Sequence, residues 1–421
     1  MGTGSSSVIT ISANANFTLC DCSGSNGQHK VGDVIYTGGV ITGSTNLWTG
    51  GIHIPMYAES VTIYGGTIVN NYIGVFNQAT ATTSLTIYGG TFSNNRKNNF
   101  DNLNSAQDSV AINGGYIGSQ NNFNGATING GYFASSPSNI ASGYTIVDIS
   151  DLGTGFDEDY IEGYPYAVYA VGTWNFAANE TAPVYDGEAI TESDFTVPSL
   201  PEGVTVSGYS YRLVSDTNGA FTSGLPTGAG EYVIRVTLSG AYLDTSEGKT
   251  YYSNTVDFTV TIAWKDITNA EVVLGNALTY TGQEQEQTIS SVKVDGLPVS
   301  YKVSGNTGTI ASTDYVLTIT GIGNFTGEAT ARWSIAQRDI SNATITLGDT
   351  LTYTGQEQEQ TIASVTVDGL TVTYEVSGNT GMNASTDYVL TITGTKEHCK
   401  KKGKLQIRRR GLRKRISGTS L

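Results

Sequence analysis

A pair of adjacent glycines recurs five times in the first third of this 421-residue chain, each time between two short apolar runs. The segments read VIYTGGVI, VTIYGGTI, LTIYGGTF, VAINGGYI and ATINGGYF, and their first glycines stand at positions 38, 65, 89, 114 and 130. The steps between these positions are similar, apart from a shorter last one, and steps of this length are typical of single coils in a repeat protein. Glycine turns the chain at each corner without a Cβ penalty. Because each unit buries its apolar side only against the next one, the pattern predicts a β-solenoid.

Alternation within each unit predicts which side chains point inward. Successive side chains of a strand lie on opposite faces, so apolar residues two positions apart share one face. The predicted inward residues are Val61, Ile63, Ile68, Leu85, Ile87, Phe92, Val110, Ile112 and Ile117. We therefore predict an all-β chain that begins with a right-handed parallel β-helix, residues 1–165 including a C-terminal cap.

Tyrosines at repeated outward positions are the candidate ligand contacts. Tyr64 and Tyr88 occupy the same position in neighbouring units, and Tyr116 and Tyr132 do so further along. Coils stack about 4.8 Å apart, so these rings are expected to form ladders along one face. Two interpretations stay open: stacking that stabilises the solenoid, or a flat aromatic platform for sugar rings. On the second, all four tyrosines are candidate glycan-contact residues.

The acids in this region do not form a catalytic pattern. A polysaccharide lyase needs a base with carboxylates that hold calcium, and a glycoside hydrolase needs two acids at a defined separation. The acids of residues 1–150 are scattered singly, and NNRKNNFDN at 94–102 is the one cluster with charges of both signs. We predict a solvated connecting loop there, and no catalytic residue, metal or cofactor. A carbohydrate-active enzyme on the β-helix is the alternative function.

Two neighbouring cysteines, Cys20 and Cys22, point the same way if they share a strand. Their Cα atoms would then lie roughly 6.6 Å apart, at the far edge of disulfide reach. A zinc site would recruit His29 and His53, but the spacing matches no common structural site. We expect both thiols to pack inward in the solenoid.

A near-identical tandem repeat fills much of the second half. DITNAEVVLGNALTYTGQEQEQTI begins at Asp266 and returns at Asp339 as DISNATITLGDTLTYTGQEQEQTI, so the repeat period is 339 − 266 = 73. Short alternating runs between turn signals predict small Ig-like β-sandwiches. A divergent third module, with PVYDGEAI and GAGEYVIRVTLSG at matching places, precedes them. The predicted modules span residues 166–263, 264–336 and 337–395, the last of them incomplete.

These motifs carry two family resemblances. The Tyr-(Asp/Thr)-Gly motif and the later Asp/Glu-Tyr-Val strand resemble the YDG and MBG families of bacterial Ig-like repeats, across all three predicted modules. FTLCDCSGSNG with the Gly-Gly units resembles the right-handed β-helix regions of surface proteins from gut Firmicutes. The resemblances imply a non-catalytic, adhesin-like protein, secreted or attached to the cell wall, with the Ig-like modules as its stalk. Glycans or surface proteins of host or microbial origin are the partners expected.

The C-terminal end departs from everything before it. Residues 396–421 hold eleven of the 22 Lys and Arg and one acid, a charge of +10, so the preceding chain carries −15 − 10 = −25. An acidic body repels polyanions, so no nucleic-acid partner is expected. Identity with the first repeat stops after Gly394, before the strand that carries Phe325, Ala329 and Trp333 in the first copy. We predict a reading-frame shift near Thr395; a true polybasic arm and a targeting or membrane-surface segment are the alternatives.

The same reasoning applies at the other end of the chain. It enters the predicted solenoid in the middle of a unit and without a leader, as a truncated gene product would. No stretch approaches the roughly 18 apolar residues of a membrane span. We expect a fragment of a longer extracellular protein.

Overall fold

The protein is all-β. The computed structural model describes residues 6–21, 28–31, 34–37, 39–78, 83–103, 110–152, 155–385 and 388–394. The only helical segments in these ranges are two short 3-10 turns, Ile149–Leu152 and Glu192–Asp194. No helix in the same ranges has the length and apolar character needed to cross a bilayer.

Three parallel sheets contain most of the described strands up to Phe133, and each takes one strand from every unit in chain order. Sheet A contains Ile9–Thr10, Gly50–Ile54, Ile73–Asn77, Asn98–Asn102 and Asn121–Asn122. Sheet B contains Asn16–Leu19, Ser60–Ile63, Ser84–Ile87, Val110–Ile112 and Ala126–Ile128. Sheet C contains Val40–Ile41, Thr67–Val69, Thr91–Ser93, Tyr116–Ile117 and Gly131–Phe133. A short antiparallel hairpin, Gln28–Val31 with Val34–Thr37, lies outside these sheets.

The strands pair in register, so equivalent side chains stack on one another. Val61 lies opposite Leu85, which lies opposite Val110. All nine predicted inward residues are at most 1% exposed and belong to one core cluster. The alternation rule therefore located this core correctly.

Close stacking also explains the paired glycines. A Cβ on Gly114 would lie 2.3 Å from the carbonyl oxygen of Tyr88 in the preceding unit. Gly115 follows with a φ of 97°, which L residues rarely adopt. The first glycine thus allows the close approach of two coils, and the second allows the turn.

Parallel stacking ends at Gly131–Phe133. This strand pairs antiparallel with Tyr166–Val171, which also pairs antiparallel with Tyr144–Asp148. Thr250–Tyr252 then joins Tyr166–Val171 in parallel and pairs with Tyr242–Asp244. Strands on both sides of the predicted boundary at 165 are therefore hydrogen-bonded into sheet C.

Most of the remaining strand pairs in the described residues are antiparallel; the exceptions are Lys265–Asp266 with Phe325–Thr326 and Leu278–Thr279 with Glu328–Ala336, which are parallel. Residues 177–262 contain Ala177–Ala178, Phe195–Thr196, Val206–Leu213, Thr222–Ser223, Gly230–Leu238 and Thr255–Ile262. The first repeat contains Lys265–Asp266, Glu271–Leu274, Leu278–Thr279, Gln285–Glu286, Ile289–Val294, Leu297–Pro298, Tyr301–Ser304, Thr307–Gly308, Ser312–Gly321, Phe325–Thr326 and Glu328–Ala336. The second contains Thr344–Leu347, Gln358–Glu359, Ile362–Val367, Leu370–Thr371, Tyr374–Ser377, Thr380–Gly381 and Thr391–Gly394.

The two repeats differ at their C-terminal ends. In the first copy Phe325, Ala329 and Trp333 are 6%, 4% and 3% exposed, and Glu328–Ala336 pairs with Ser312–Gly321. The repeat period places the counterparts of positions 328 and 336 at 401 and 409. Those counterpart positions, the predicted frame shift and the basic tail at 396–421 all lie outside the described residues.

Two predictions about the first region were wrong. Cys20 is exposed rather than packed inward, because the alternation that packs the partly buried Phe17 and Leu19 against the core turns the next residue outward. Cys22 lies outside the described ranges. The 94–102 segment is not a solvated loop throughout. Its second half is the strand Asn98–Asn102, in which residues 99–102 are buried.

Candidate functional site

The Gly-Gly corners form the floor of a groove between two columns of side chains. The column before the glycines consists of Tyr64, Tyr88, Asn113 and Asn129, and the column after them of Thr67, Thr91, Tyr116 and Tyr132. The groove has a cavity volume of about 590 Å³, and Tyr88, Tyr116 and Tyr132 line it. Tyr64 extends the first column past the end of this cavity. The glycine pairs of the last three units line the floor of this groove.

The tyrosine rings stack in ladders, as the repeat predicted. The Tyr64 and Tyr88 centroids lie 5.0 Å apart with an interplanar angle of 7°. The Tyr116 and Tyr132 centroids also lie 5.0 Å apart, at 17°. Asn129 continues the first column by donating from Nδ2 to Oδ1 of Asn113 at 2.9 Å.

Exposure divides the four tyrosines into two pairs. Tyr64 and Tyr88 are 55% and 51% exposed. Tyr116 is half-buried and donates its hydroxyl to the backbone oxygen of Asp159 at 2.7 Å. Tyr132 is only 9% exposed. The accessible aromatic face is therefore the Tyr64–Tyr88 pair, and Tyr132 mainly faces protein.

A buried carboxylate, that of Asp157, binds three side chains in one wall of the groove. The side chain of Asp157 is 1% exposed and accepts hydrogen bonds from the hydroxyls of Tyr132 at 2.7 Å and Tyr169 at 2.5 Å. Its Oδ1 also accepts from Nζ of Lys249 at 2.5 Å and from the backbone N–H of Asp159 at 3.0 Å. Lys249 reaches Oδ2 of Asp159 at 2.6 Å. We call these five residues the Asp157 cluster.

The cluster fixes the protonation states of its members. Burial alone would raise the pKa of Asp157, but the hydrogen bonds from Lys249, Tyr169 and Tyr132 outweigh it and hold that pKa below its ordinary value. Burial, reinforced by the hydrogen bond to Asp157, raises the pKa of Tyr132 far above that of a free phenol. The same two causes raise the pKa of Tyr169. Asp157 is therefore an anion, and both phenols keep their protons at neutral pH.

Asparagines form a further ladder, at the opposite ends of the sheet C strands. Nδ2 of Asn95 donates to Oδ1 of Asn99 at 3.0 Å and to the backbone oxygen of Ile68 at 2.9 Å. Nδ2 of Asn71 donates to Oδ1 of Asn95 at 3.2 Å. All three amides are at most 5% exposed. Stacked amides thus satisfy the polar groups of this inner corner.

Sequence reasoning missed both the Asp157 cluster and the asparagine ladder. Asp157 and Lys249 are 92 positions apart, and no local motif links them. The one available signal was the density of acids and tyrosines around residues 157–169. Within the described ranges, no group of three or more His, Cys, Asp or Glu could hold a metal ion.

No protein-family model, curated protein or solved structure matches this chain. The resemblances to YDG and MBG repeats and to β-helix surface proteins therefore stay predictions.

Proposed function

We propose that this chain is part of a non-catalytic, adhesin-like extracellular protein that binds glycan along the Tyr64–Tyr88 ladder. In this proposal residues 1–165 form a right-handed parallel β-helix, and the modules after it are Ig-like sandwiches that act as a stalk. The single observation that carries the binding function is the stacked, half-exposed tyrosine pair beside an open glycine-floored groove.

The arrangement of strands supports the architectural part of the proposal. Three parallel sheets that each take one strand per unit are the arrangement of a β-helix. The antiparallel sheets that follow, which recur with the period of the tandem repeat, suit small sandwiches in series. Tandem sandwiches make an extended spacer rather than a catalytic body.

The chemistry of the groove supports the binding part. A sugar ring has flat C–H faces and a rim of hydroxyls, so its site needs aromatic surface together with polar groups. Tyr64 and Tyr88 supply the aromatic surface. Asn113, Asn129 and Glu247 line the groove beside them and can hydrogen-bond hydroxyls.

Glycan retention tests this proposal. The parent chain and the double variant Tyr64→Ala with Tyr88→Ala are compared on an array of neutral host and microbial glycans. We expect the double variant to lose the retention that the parent shows. Tyr57→Ala is the matched control, because Tyr57 is 66% exposed and lies outside the groove. Equal retention by parent and double variant would leave the ladder a purely structural feature.

One observation favours a second candidate, a carbohydrate-active enzyme. Asp157 and Asp159 converge on Lys249 at the wall of the groove. Against catalysis, Asp157 is buried and fully hydrogen-bonded, and the phenols beside it are held protonated and cannot act as bases at neutral pH. Asp159 and Glu247 are exposed, whereas a general acid is normally desolvated.

A turnover assay separates the two functions. The purified chain is incubated with pectins, alginates and host glycans, with and without calcium, and product release is measured. We expect none. Calcium-dependent release that Asp159→Asn abolishes would establish the enzyme instead.

A further inference from the structure

A second concave surface lies at the corner where sheet C strands lead into sheet A. Two adjoining hollows of about 720 and 210 Å³ share Thr45, Tyr72 and Arg96 on their walls. Asn46, Leu47 and Lys97 complete the larger one. We call this surface the Trp48 hollow, because the indole of Trp48 lies beside Lys97, which lines the larger hollow. It lies at the opposite ends of the sheet C strands from the tyrosine groove, so the two surfaces are separate.

Trp48 is held outward in an unusual backbone conformation. Its side chain is 59% exposed and its φ is 62°, a region that bulky residues rarely occupy. Nζ of Lys97 lies 4.5 Å from the centre of the indole ring, and the ring centroids of Trp48 and Phe76 are 6.1 Å apart. Strained conformations of this kind persist where the surroundings over-determine them, and they cluster at ligand sites. A large aromatic surface is thus positioned rather than left loose.

Arg96 gives the hollow an available positive charge. Within the described residues its guanidinium has no hydrogen bond or ion pair, and the side chain is exposed. Lys97 is different: it pairs with the buried carboxylate of Asp101 at 2.9 Å, so its charge is already balanced. Arginine presents a planar fork of donors that matches two oxygens of a carboxylate or sulfate.

The charge of the chain bears on what Arg96 can bind. Residues 1–395 carry a net charge of −25, so most of this surface repels anions, and an exposed guanidinium without a partner among the described residues is a local point of attraction for one. A ligand that pairs with it must offer one anionic group next to a flat apolar face. An acidic sugar has both features on a single ring.

We propose that the Trp48 hollow is a binding site for acidic saccharides, in which Arg96 pairs with the anionic group and Trp48 stacks on the ring. Thr45, Tyr72 and the side-chain amide of Asn46 are placed to hydrogen-bond the remaining hydroxyls. This site is independent of the tyrosine groove. It would allow one chain to hold neutral and acidic glycan segments at two corners.

The test uses a fluorescently labelled short oligogalacturonate titrated against the full chain. Its methyl ester, which has the same rings without the charge, is the neutral comparison, and a sulfated galactan oligosaccharide distinguishes sulfate from carboxylate. We expect the parent to bind at least one anionic probe roughly 10- to 100-fold more tightly than the methyl ester, as one charge-assisted bidentate pair predicts. High ionic strength should reduce that difference.

Variants assign the effect to the hollow. Arg96→Gln should bind the anionic probe as weakly as the parent binds the ester, and Trp48→Ala should weaken both probes by about fivefold or more. Arg332→Gln is the matched control, because Arg332 lies on a strand of the first repeat, away from the hollow. Tyr64→Ala with Tyr88→Ala should leave acidic binding unchanged, which keeps this test separate from that of the tyrosine groove.

Two results would overturn the proposal of an acidic-saccharide site. Equal affinity of the parent and Arg96→Gln for every anionic probe would overturn the proposal, and so would absence of measurable binding of all anionic probes to the parent. Binding of the sulfated probe alone would support the site and identify sulfate as its anion.

Discussion

Replacing Lys249 by methionine should loosen the junction between the parallel strands and the residues that follow them. Lys249 pairs with Asp157 at 2.5 Å, and the side chains are 28% and 1% exposed, respectively. Methionine keeps the length and apolar stem of lysine but removes the charge. The carboxylate of Asp157 then remains buried, with hydrogen bonds from two phenols and one backbone N–H.

The size of the destabilisation follows from the burial of Asp157, which remains after Lys249 is replaced. Removing one member of a buried ion pair typically costs about 3 to 5 kcal/mol, since the other charge cannot return to water. Lys249 is partly exposed, and Asp157 keeps three donors, so we place the loss at the lower end, about 3 kcal/mol. This loss corresponds to a change of roughly 100-fold in the equilibrium for opening the junction.

Hydrogen–deuterium exchange of individual peptides measures this opening. The strand Tyr166–Val171 is hydrogen-bonded along one side to Tyr144–Asp148 and along the other side to Gly131–Phe133 and Thr250–Tyr252. Its amides should therefore exchange roughly 100-fold faster in Lys249→Met when the junction opens as one unit. Circular dichroism should stay unchanged, because the defect is local.

The chain supplies a matched control in the ion pair between Lys265 and Asp295. These two side chains are 2.7 Å apart, and the lysine is 21% exposed, much like Lys249, but Asp295 is 73% exposed. Such a surface pair contributes less than about 1 kcal/mol, so Lys265→Met should change exchange of the adjacent strand Ile289–Val294 only slightly.

Two results would refute the reasoning. If Lys249→Met behaves like Lys265→Met, the buried pair contributes no special stability. If the double variant of Lys249→Met with Asp157→Asn loses the sum of both single effects, the two side chains are not coupled.

Three further outcomes are expected. Gly114→Ala should lower the stability of the parallel region by about 1 to 3 kcal/mol in thermal unfolding, because the added Cβ would overlap a backbone oxygen. Gly240→Ala is the control and should leave stability unchanged, because its added Cβ would meet no atom within 4 Å. The lowered pKa of Asp157 contributes stability that should be present above about pH 4 and lost as the pH falls toward the pKa of Asp157 in the folded state. Calorimetry across this pH range should show a smaller loss of stability in Asp157→Asn than in the parent. Limited proteolysis should cleave residues 337–395 before 264–336, since the described core of the second copy contains no counterpart of two aromatic side chains buried in the first; equal resistance would contradict this.

The inner faces of the parallel strands were predictable because they depend on local rules. Alternation placed Val61 and Leu85 on one face, and the repeat spacing placed them in neighbouring units. The stacking of Tyr64 on Tyr88 followed from the same register. Each of these inferences needs only a strand, a period and a fixed distance between coils.

Features that depend on polar stacking or on distant segments were not predictable. Asn95 and Asn99 belong to a polar run that has the composition of a loop, yet both are buried there: Asn95 donates to Asn99 within its own unit and accepts from Asn71 of the preceding unit. Lys249 reaches Asp157 only because Thr250–Tyr252 joins sheet C far from its own neighbours in sequence. No pairwise spacing rule covers such a contact.

The two tyrosine ladders show that stacked tyrosines can have different roles at different levels of the parallel stack. Tyr132 lies in the last unit of the parallel stack, where the covering strand Tyr166–Val171 buries it and its hydroxyl binds Asp157. Tyr64 and Tyr88 lie in earlier units, which no strand of the described ranges covers in this way, and half of each ring stays in contact with solvent. The repeat supplies stacked rings in successive units. The covering strand Tyr166–Val171 determines which of these rings a ligand can reach. Glycan binding in the groove is therefore expected to depend on Tyr64 and Tyr88, while substitution of Tyr132 acts through stability.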